Sequence, residues 1–234
     1  MGDVCVPPAE RRYRVTPTLI VAAIACCLPA PCQQQPNAMP PDQALARLIE
    51  GNKRFVRHKE QHPDETPGRR KELESGQHPF AVILSCSDSR VPPELIFDEG
   101  LGDLFVIRLA GNVLDDDALA SIEYAVEHLH TRLILVLGHE KCGAVSAAVE
   151  GGEAPGHLAA LVAAIQPSVQ EVKDLPGDMV HNCVLANARQ SARQIRESEP
   201  ILKDLVQKGN VKVVAAVYAL DAGAVTILPD APRP

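Results

Sequence analysis

Two short aliphatic runs constrain this chain most, because each stops abruptly at a polar cluster. Ala81 to Leu84 runs into Ser85-Cys86-Ser87-Asp88-Ser89-Arg90, and Leu133 to Leu137 runs into Gly138-His139-Glu140-Lys141-Cys142. Apolar runs of this length, bounded by Ser or Gly, read as buried parallel strands. Both clusters then sit just past a strand's carboxyl end, where open α/β sheets place their ligands. If the two strands are neighbours, Cys86, His139 and Cys142 converge on one point. Two thiolates and an imidazole form a zinc-type ligand set with one tetrahedral position open, the pattern of a catalytic site. The H-x-x-C spacing alone is weak, and a closed structural zinc is the competing reading. That reading needs a fourth ligand, for which Asp88 is the one nearby candidate.

Composition agrees with such a sheet. Hydrophobic residues make up 46% of the 234 residues, but aromatics only 3%, with no Trp, so Val, Leu, Ile and Ala must build the core. A net charge of -7 without any basic run argues against a nucleic-acid partner. Four of the seven cysteines, Cys5, Cys26, Cys27 and Cys32, lie in the first 32 residues. Of the other three, Cys183 sits in an apolar stretch that reads as a helix interior, where a lone Cys is a small hydrophobe.

Residues 1–40 read as a secretory signal and linker: Arg11, Arg12 and Arg14, an apolar run from Leu19 to Leu28, then a Pro/Gln-rich stretch. That run is shorter than the ~20 residues of a membrane span. Cys26 after Ile24-Ala25 resembles a lipoprotein site, which would make it a lipid anchor. Export to the periplasm or outside is the expectation; a disordered extension on a cytoplasmic protein is the alternative.

From Pro41 to the C-terminus a single domain is expected. Asp42 is placed to cap a helix with an apolar stripe of Leu45, Leu48, Ile49, Phe55 and Val56, interrupted by Asn52. This arm, residues 41–76 with a second short helix over Arg69–Ser75, needs a cover, from its own domain or a second chain. Strands are expected at Phe80–Leu84, Leu104–Leu109, Leu133–Leu137, Val211–Leu220 and Ala224–Leu228, the last one short. Helices follow Pro92-Pro93 and the Asp115-Asp116-Asp117 run, whose carboxylates suit a helix N-terminus. Helices also fill most of Cys142–Gln207, broken near Gly151-Gly152 and Pro176-Gly177. The alternation predicts an α/β fold with a mostly parallel sheet of four to five strands flanked by helices.

Asp88 and Arg90 stand two apart on the loop after the first strand. As a surface ion pair they would contribute only ~0–1 kcal/mol. As a functional pair, Arg90 would fix the Asp88 carboxylate beside the metal as an oriented acceptor for a reacting water.

Cys-Ser-Asp-Ser-Arg at 86–90 with His-x-x-Cys at 139–142 resembles the β-class carbonic anhydrases. So do Glu50-Gly51-Asn52-Lys53-Arg54-Phe55, Gly76-Gln77-His78-Pro79-Phe80, Arg108-Leu109-Ala110-Gly111-Asn112 and Ser121–Val126, in order. The resemblance covers about Pro41 to Leu228. It implies Zn²⁺, one per chain, on Cys86, His139 and Cys142, with Asp88 and Arg90 as a catalytic dyad. It implies reversible hydration of carbon dioxide to bicarbonate and a proton by hydroxide generated at the zinc. Gln77 matches a pocket residue supplied across a dimer interface, Gly143 a backbone position near substrate, and Phe105 and Tyr124 positions closing the pocket. A homodimer or larger oligomer, with arms on the neighbouring subunit, follows from the same likeness. A bicarbonate-regulated subtype carries Trp three residues before the first zinc Cys; here Ile83 stands there, so the resemblance does not extend to that regulatory site. A hydrolase for an analogue such as carbonyl sulfide, or a non-catalytic zinc protein, are the rival readings.

Overall fold

The computed structural model describes residues 38–229. The signal, the Cys26 anchor and the four N-terminal cysteines lie outside the described residues. Five strands, β1 (Ala81–Ser85), β2 (Leu104–Arg108), β3 (Leu133–His139), β4 (Lys212–Tyr218) and β5 (Val225–Ile227), form one sheet in the order β2-β1-β3-β4-β5. The first four pair in parallel. β5 is the one strand that keeps the sheet mostly rather than wholly parallel, in line with the expectation: it pairs antiparallel with β4. The turn around Asp221-Ala222-Gly223 is too short for a crossover helix, and a short connection permits only an antiparallel return.

Alternate side chains of each strand enter opposite layers. Val82, Leu84, Ile134 and Val136 pack with Ile122 of α4 (Asp116–Glu127), Val145 of α5 (Gly143–Glu150), Ile165 of α6 (Leu158–Val172) and Ile195 of α7 (Met179–Glu197). Ala81, Ile83, Leu133 and Leu135 face the other way, onto α1 (Pro41–Val56) and α3 (Pro93–Ile96). Between them come α2 (Pro67–Glu72), which Thr66 caps through the amide of Arg69, and the 3-10 turn Leu73–Ser75. The remaining helix is α8 (Ile201–Gln207). Asp115 caps α4 by accepting from the amide of Ala118, so the Asp run serves the helix. Cys183 is fully buried inside α7, and burial pushes its thiol up to about 11.

The arm departs from expectation at Asp42 and at Asn52. Asp42 does not cap α1, which starts at Pro41 without a side-chain cap; Asp42 instead pairs with Lys212 at 2.7 Å. The domain itself covers part of the stripe: Ala44 and Leu48 are fully buried against its sheet and Leu45 and Phe55 lie on the same cluster, while Val56 stays 39% exposed. Asn52 does not interrupt the packing but fastens it. Its Nδ2 donates to the carbonyls of Ile96 (3.1 Å) and Gly223 (2.9 Å), and its Oδ1 accepts from the amide of Val225 (2.9 Å). Gly51 permits this approach, because a Cβ there would lie 1.7 Å from the carbonyl oxygen of Phe97. Beside it, buried Asp98 accepts from Arg54 and from the amides of Gln61 and His62, while buried Glu99 accepts from Arg47.

Candidate metal centre

The chain leaves β1 toward β2 on one side of the sheet and leaves β3 toward β4 on the other. The connections diverge, and the crevice between the carboxyl ends of β1 and β3 lies at this topological switch point. Cys86 follows the last residue of β1, His139 is the last residue of β3, and Cys142 precedes the first residue of α5. Lys141, at φ 52°, makes the tight turn that returns Cys142 toward His139. All three side chains are buried, and their ligand atoms lie within 4.8 Å of one another.

The donor set fits zinc on its own chemistry. His139 Nδ1 donates to the carbonyl of Glu140 at 2.9 Å, which leaves Nε2 as a lone pair; Nε2 is buried and has no hydrogen-bond partner among the described residues. Cys86 Sγ accepts from the amides of Gly111 (3.2 Å) and Asp88 (3.4 Å). The neighbouring Cys142 thiol, with these amides and His139, holds the Cys86 thiol down at about 4 against its burial. The same contact, with burial, pushes Cys142 up, although the amides of Ala144 and Val145 at the start of α5 favour its thiolate. Burial disfavours a charged His139, yet Cys86 and the Glu140 carbonyl outweigh it and raise its proton affinity. One cation answers all of this: it takes the imidazole lone pair and stabilises both thiolates. Soft sulfur with imidazole is a zinc donor set.

Asp88 is fixed as the sequence suggests. Arg90 grips it through Nε to Oδ1 (2.9 Å), Nη2 to Oδ2 (2.7 Å) and its own amide to Oδ1 (2.9 Å). The Arg90 side chain and amide hold the Asp88 carboxyl well below the usual carboxylate range, despite a contrary effect of burial. Asp88 Oδ2 stands 3.8 Å from His139 Nε2, facing the point the three ligands share.

The pocket residues expected from the sequence are divided. Gly143 opens α5 directly after Cys142 and borders a groove of about 420 Å³ with Ala110, Ala144, Leu158 and Val162. The rings of Phe105 and Tyr124 lie 6.3 Å apart, tilted by 39°, but Phe105 pairs with Val82, roughly 13 Å along the strand from Cys86. Gln77 is exposed on the loop entering β1, at the opposite end of that strand. Within one chain these three do not meet the centre. Ile83 is buried under α1 and α3, on the face of the sheet opposite Cys86.

Three residues around the ligands have roles that their types do not announce. Arg108, the last residue of β2, donates from Nε to the carbonyl of Cys86 (2.9 Å) and from Nη2 to that of Asp88 (2.6 Å), clamping the loop that carries both. Gly111 supplies its amide to Cys86, and Asn187 of α7 holds the carbonyl of Gly111 at 2.7 Å. Arg108 and Gly111 follow the strand-end rule used for Cys86; nothing in the sequence ties Asn187 to them.

Known proteins share this arrangement. Residues 81–225 match the family model described as Carbonic anhydrase. Carbonic anhydrase 2 of Mycobacterium tuberculosis is 41% identical over 196 residues, covering 78% of this chain and 90% of that protein. The carbonic anhydrase of Mycolicibacterium smegmatis is 37% identical, covering 82% and 95%. Among solved structures, the β-carbonic anhydrase CafA of Aspergillus fumigatus superposes with a TM-score of 0.64 at 27% identity, covering 82% of this chain and 92% of that one. The Coccomyxa β-carbonic anhydrase in complex with acetazolamide gives the same TM-score at 25% identity, covering 79% and 86%. On this likeness, together with the Cys86, His139 and Cys142 centre, the chain belongs to the β class of the carbonic anhydrase family.

Proposed function

We propose that the protein catalyses the reversible hydration of carbon dioxide to bicarbonate and a proton, with Cys86, His139 and Cys142 holding zinc and Asp88 orienting the reacting water. When bound, zinc supplies the Lewis acidity that makes water nucleophilic near neutral pH. The chain's own part is positional. Arg90 occupies both oxygens of Asp88 and keeps it an anion, so the carboxylate acts as a fixed acceptor. A water donating to Oδ2 would keep a lone pair free for a carbon dioxide molecule beside Gly143, where a Cβ would meet nothing within 4 Å and Ala110, Ala144, Leu158 and Val162 border the groove. Arg108 holds the Cys86–Asp88 loop, so ligand and acceptor move as one piece.

The observation that carries this reading is the lone pair of His139 facing a carboxylate gripped at both oxygens. Loss of ¹⁸O label from carbon dioxide into water, followed by mass spectrometry, tests it. The zinc-loaded protein should deplete the label and Asp88→Asn should deplete it far more slowly. Equal depletion by the two would remove Asp88 from the reaction.

Two finer points belong to the same reading. Gln77, Phe105 and Tyr124 complete the pocket from a neighbouring subunit, because no single chain brings them to its own centre while Tyr124 is 48% exposed. The protein is exported: Arg11, Arg12 and Arg14 before the Leu19–Leu28 run support it. Mass spectrometry of the mature N-terminus checks export, and an intact Met1 in the cytosolic fraction would contradict it. No helix among the described residues is long and apolar enough to cross a membrane.

A further inference from the structure

We propose that Asn187, aided by Ser191, is a positioning residue that holds the Gly111 amide on Cys86 Sγ, so that α7 governs the metal centre without touching metal or substrate. The inference rests on the zinc reading above and extends it to residues two layers away. Asn187 is 1% exposed and Ser191 2%, on a helix face otherwise made of Val184, Ala188 and Ala192. Polar groups are costly to bury unless they are bonded. Here both, one helical turn apart, reach the same short segment: Asn187 Nδ2 donates to the carbonyl of Gly111 at 2.7 Å, its Oδ1 finding no partner among the described residues, and Ser191 Oγ donates to that of Asn112 at 2.9 Å. The amide of Asn112 is tied back to the carbonyl of Leu109 at 2.9 Å, so the segment after β2 is held on three sides.

What this segment presents to the centre is the Gly111 amide, 3.2 Å from Cys86 Sγ. Gly111 has φ 67°, and a Cβ there would stand 2.9 Å from Ile165 Cδ1 and 3.2 Å from Ala144 Cβ. The conformation is therefore one that glycine tolerates but does not itself select, since glycine has the widest choice of all. The selection falls to Asn187 and Ser191. An N–H···S bond draws charge from a thiolate, and partners beyond the ligands typically change metal affinity or activity by about 10- to 100-fold. Cys86 has two such amides, from Asp88 and Gly111; only that of Gly111 depends on α7.

The test uses Asn187→Leu, which keeps the volume and loses the donor, and Ser191→Ala as a milder variant. Ser168→Ala is the control: Ser168 is buried at the α6–α7 contact but bonded to Gln190, away from Gly111. Zinc release to excess chelator and the thiolate-to-metal band of the Co²⁺-substituted proteins are recorded beside thermal melting. We expect Asn187→Leu to bind stoichiometric zinc, release it about tenfold faster or more, and shift the cobalt band. Ser191→Ala should change both in the same direction by less, and Ser168→Ala should match the wild type in both whatever its melting temperature. If Asn187→Leu does not fold, Ser191→Ala decides. Wild-type release and an unshifted band in the folded variants would overturn the proposal. Wild-type protein that binds neither Zn²⁺ nor Co²⁺ would instead contradict the metal centre itself.

Discussion

His139 shows how one side chain can settle a site's chemistry. Its Nδ1 is committed to a backbone carbonyl, so Nε2 is a buried lone pair aimed at the two thiols, the position of a metal ligand. Cys86 and Cys142 complete the set, and replacing either should empty it: Cys86→Ser and Cys142→Ser should each retain far less than one zinc per chain by metal analysis. Full zinc in either variant would mean another residue binds it. These residues were legible in the sequence because each closes an apolar run or follows one within a few positions, where a strand end fixes its place. Asp88 and Arg90 were legible for the same reason. Arg108 donates from its side chain to backbone carbonyls, Gly111 acts through its own amide, and Asn187 through a contact 76 positions along the chain, so residue types alone announced none of their bonds.

The arm illustrates the limit of periodicity. The spacing of Leu45, Leu48 and Phe55 identified a helix and its apolar side, but could not say whose surface covers it. That answer lies in Gly51 and Asn52, which read as defects in a stripe and prove to be its closest contacts. Gly51→Ala should therefore destabilise the fold more than an ordinary surface substitution, and Leu48→Ala should cost about 2–5 kcal/mol; denaturant unfolding measures both. The parallel core strands were placed within one or two residues because burial on both faces makes them continuous apolar runs. The direction of β5 depended on a turn rather than on strand composition. Asp98 adds a pH dependence. Burial raises its pKa, but Arg54 and the amides of Gln61 and His62 bring the net value down. A depressed carboxyl stabilises the fold above its unfolded value of about 3.9, and that contribution is lost as pH falls through the folded value. The melting-temperature gap between wild type and Asp98→Asn should thus be widest near neutrality and shrink in acid. A gap independent of pH would assign the effect to packing alone.

A single chain carries the complete ligand set but leaves Gln77, Phe105 and Tyr124 turned away from it. If a second subunit supplies them, Gln77→Ala should lower turnover without changing zinc content or the sedimentation coefficient. An active, stable monomer would contradict that view. Removing residues 41–76 would not test the assembly, since it strips Ala44 and Leu48 from the core of the same chain and should give aggregate. The most direct test of the proposed chemistry is stopped-flow carbon dioxide hydration, from neutral to alkaline pH, on wild type and Asp88→Asn of equal zinc content. Two thiolates cancel the charge of Zn²⁺, where three imidazoles would leave it intact, so the centre is a weaker acid and wild-type hydration should rise with pH across this range. Asp88→Asn should keep its zinc and lose activity by about 10- to 100-fold. A zinc-loaded wild type without hydration, or an Asp88→Asn variant that matches it at every pH, would contradict the proposed roles of zinc and Asp88.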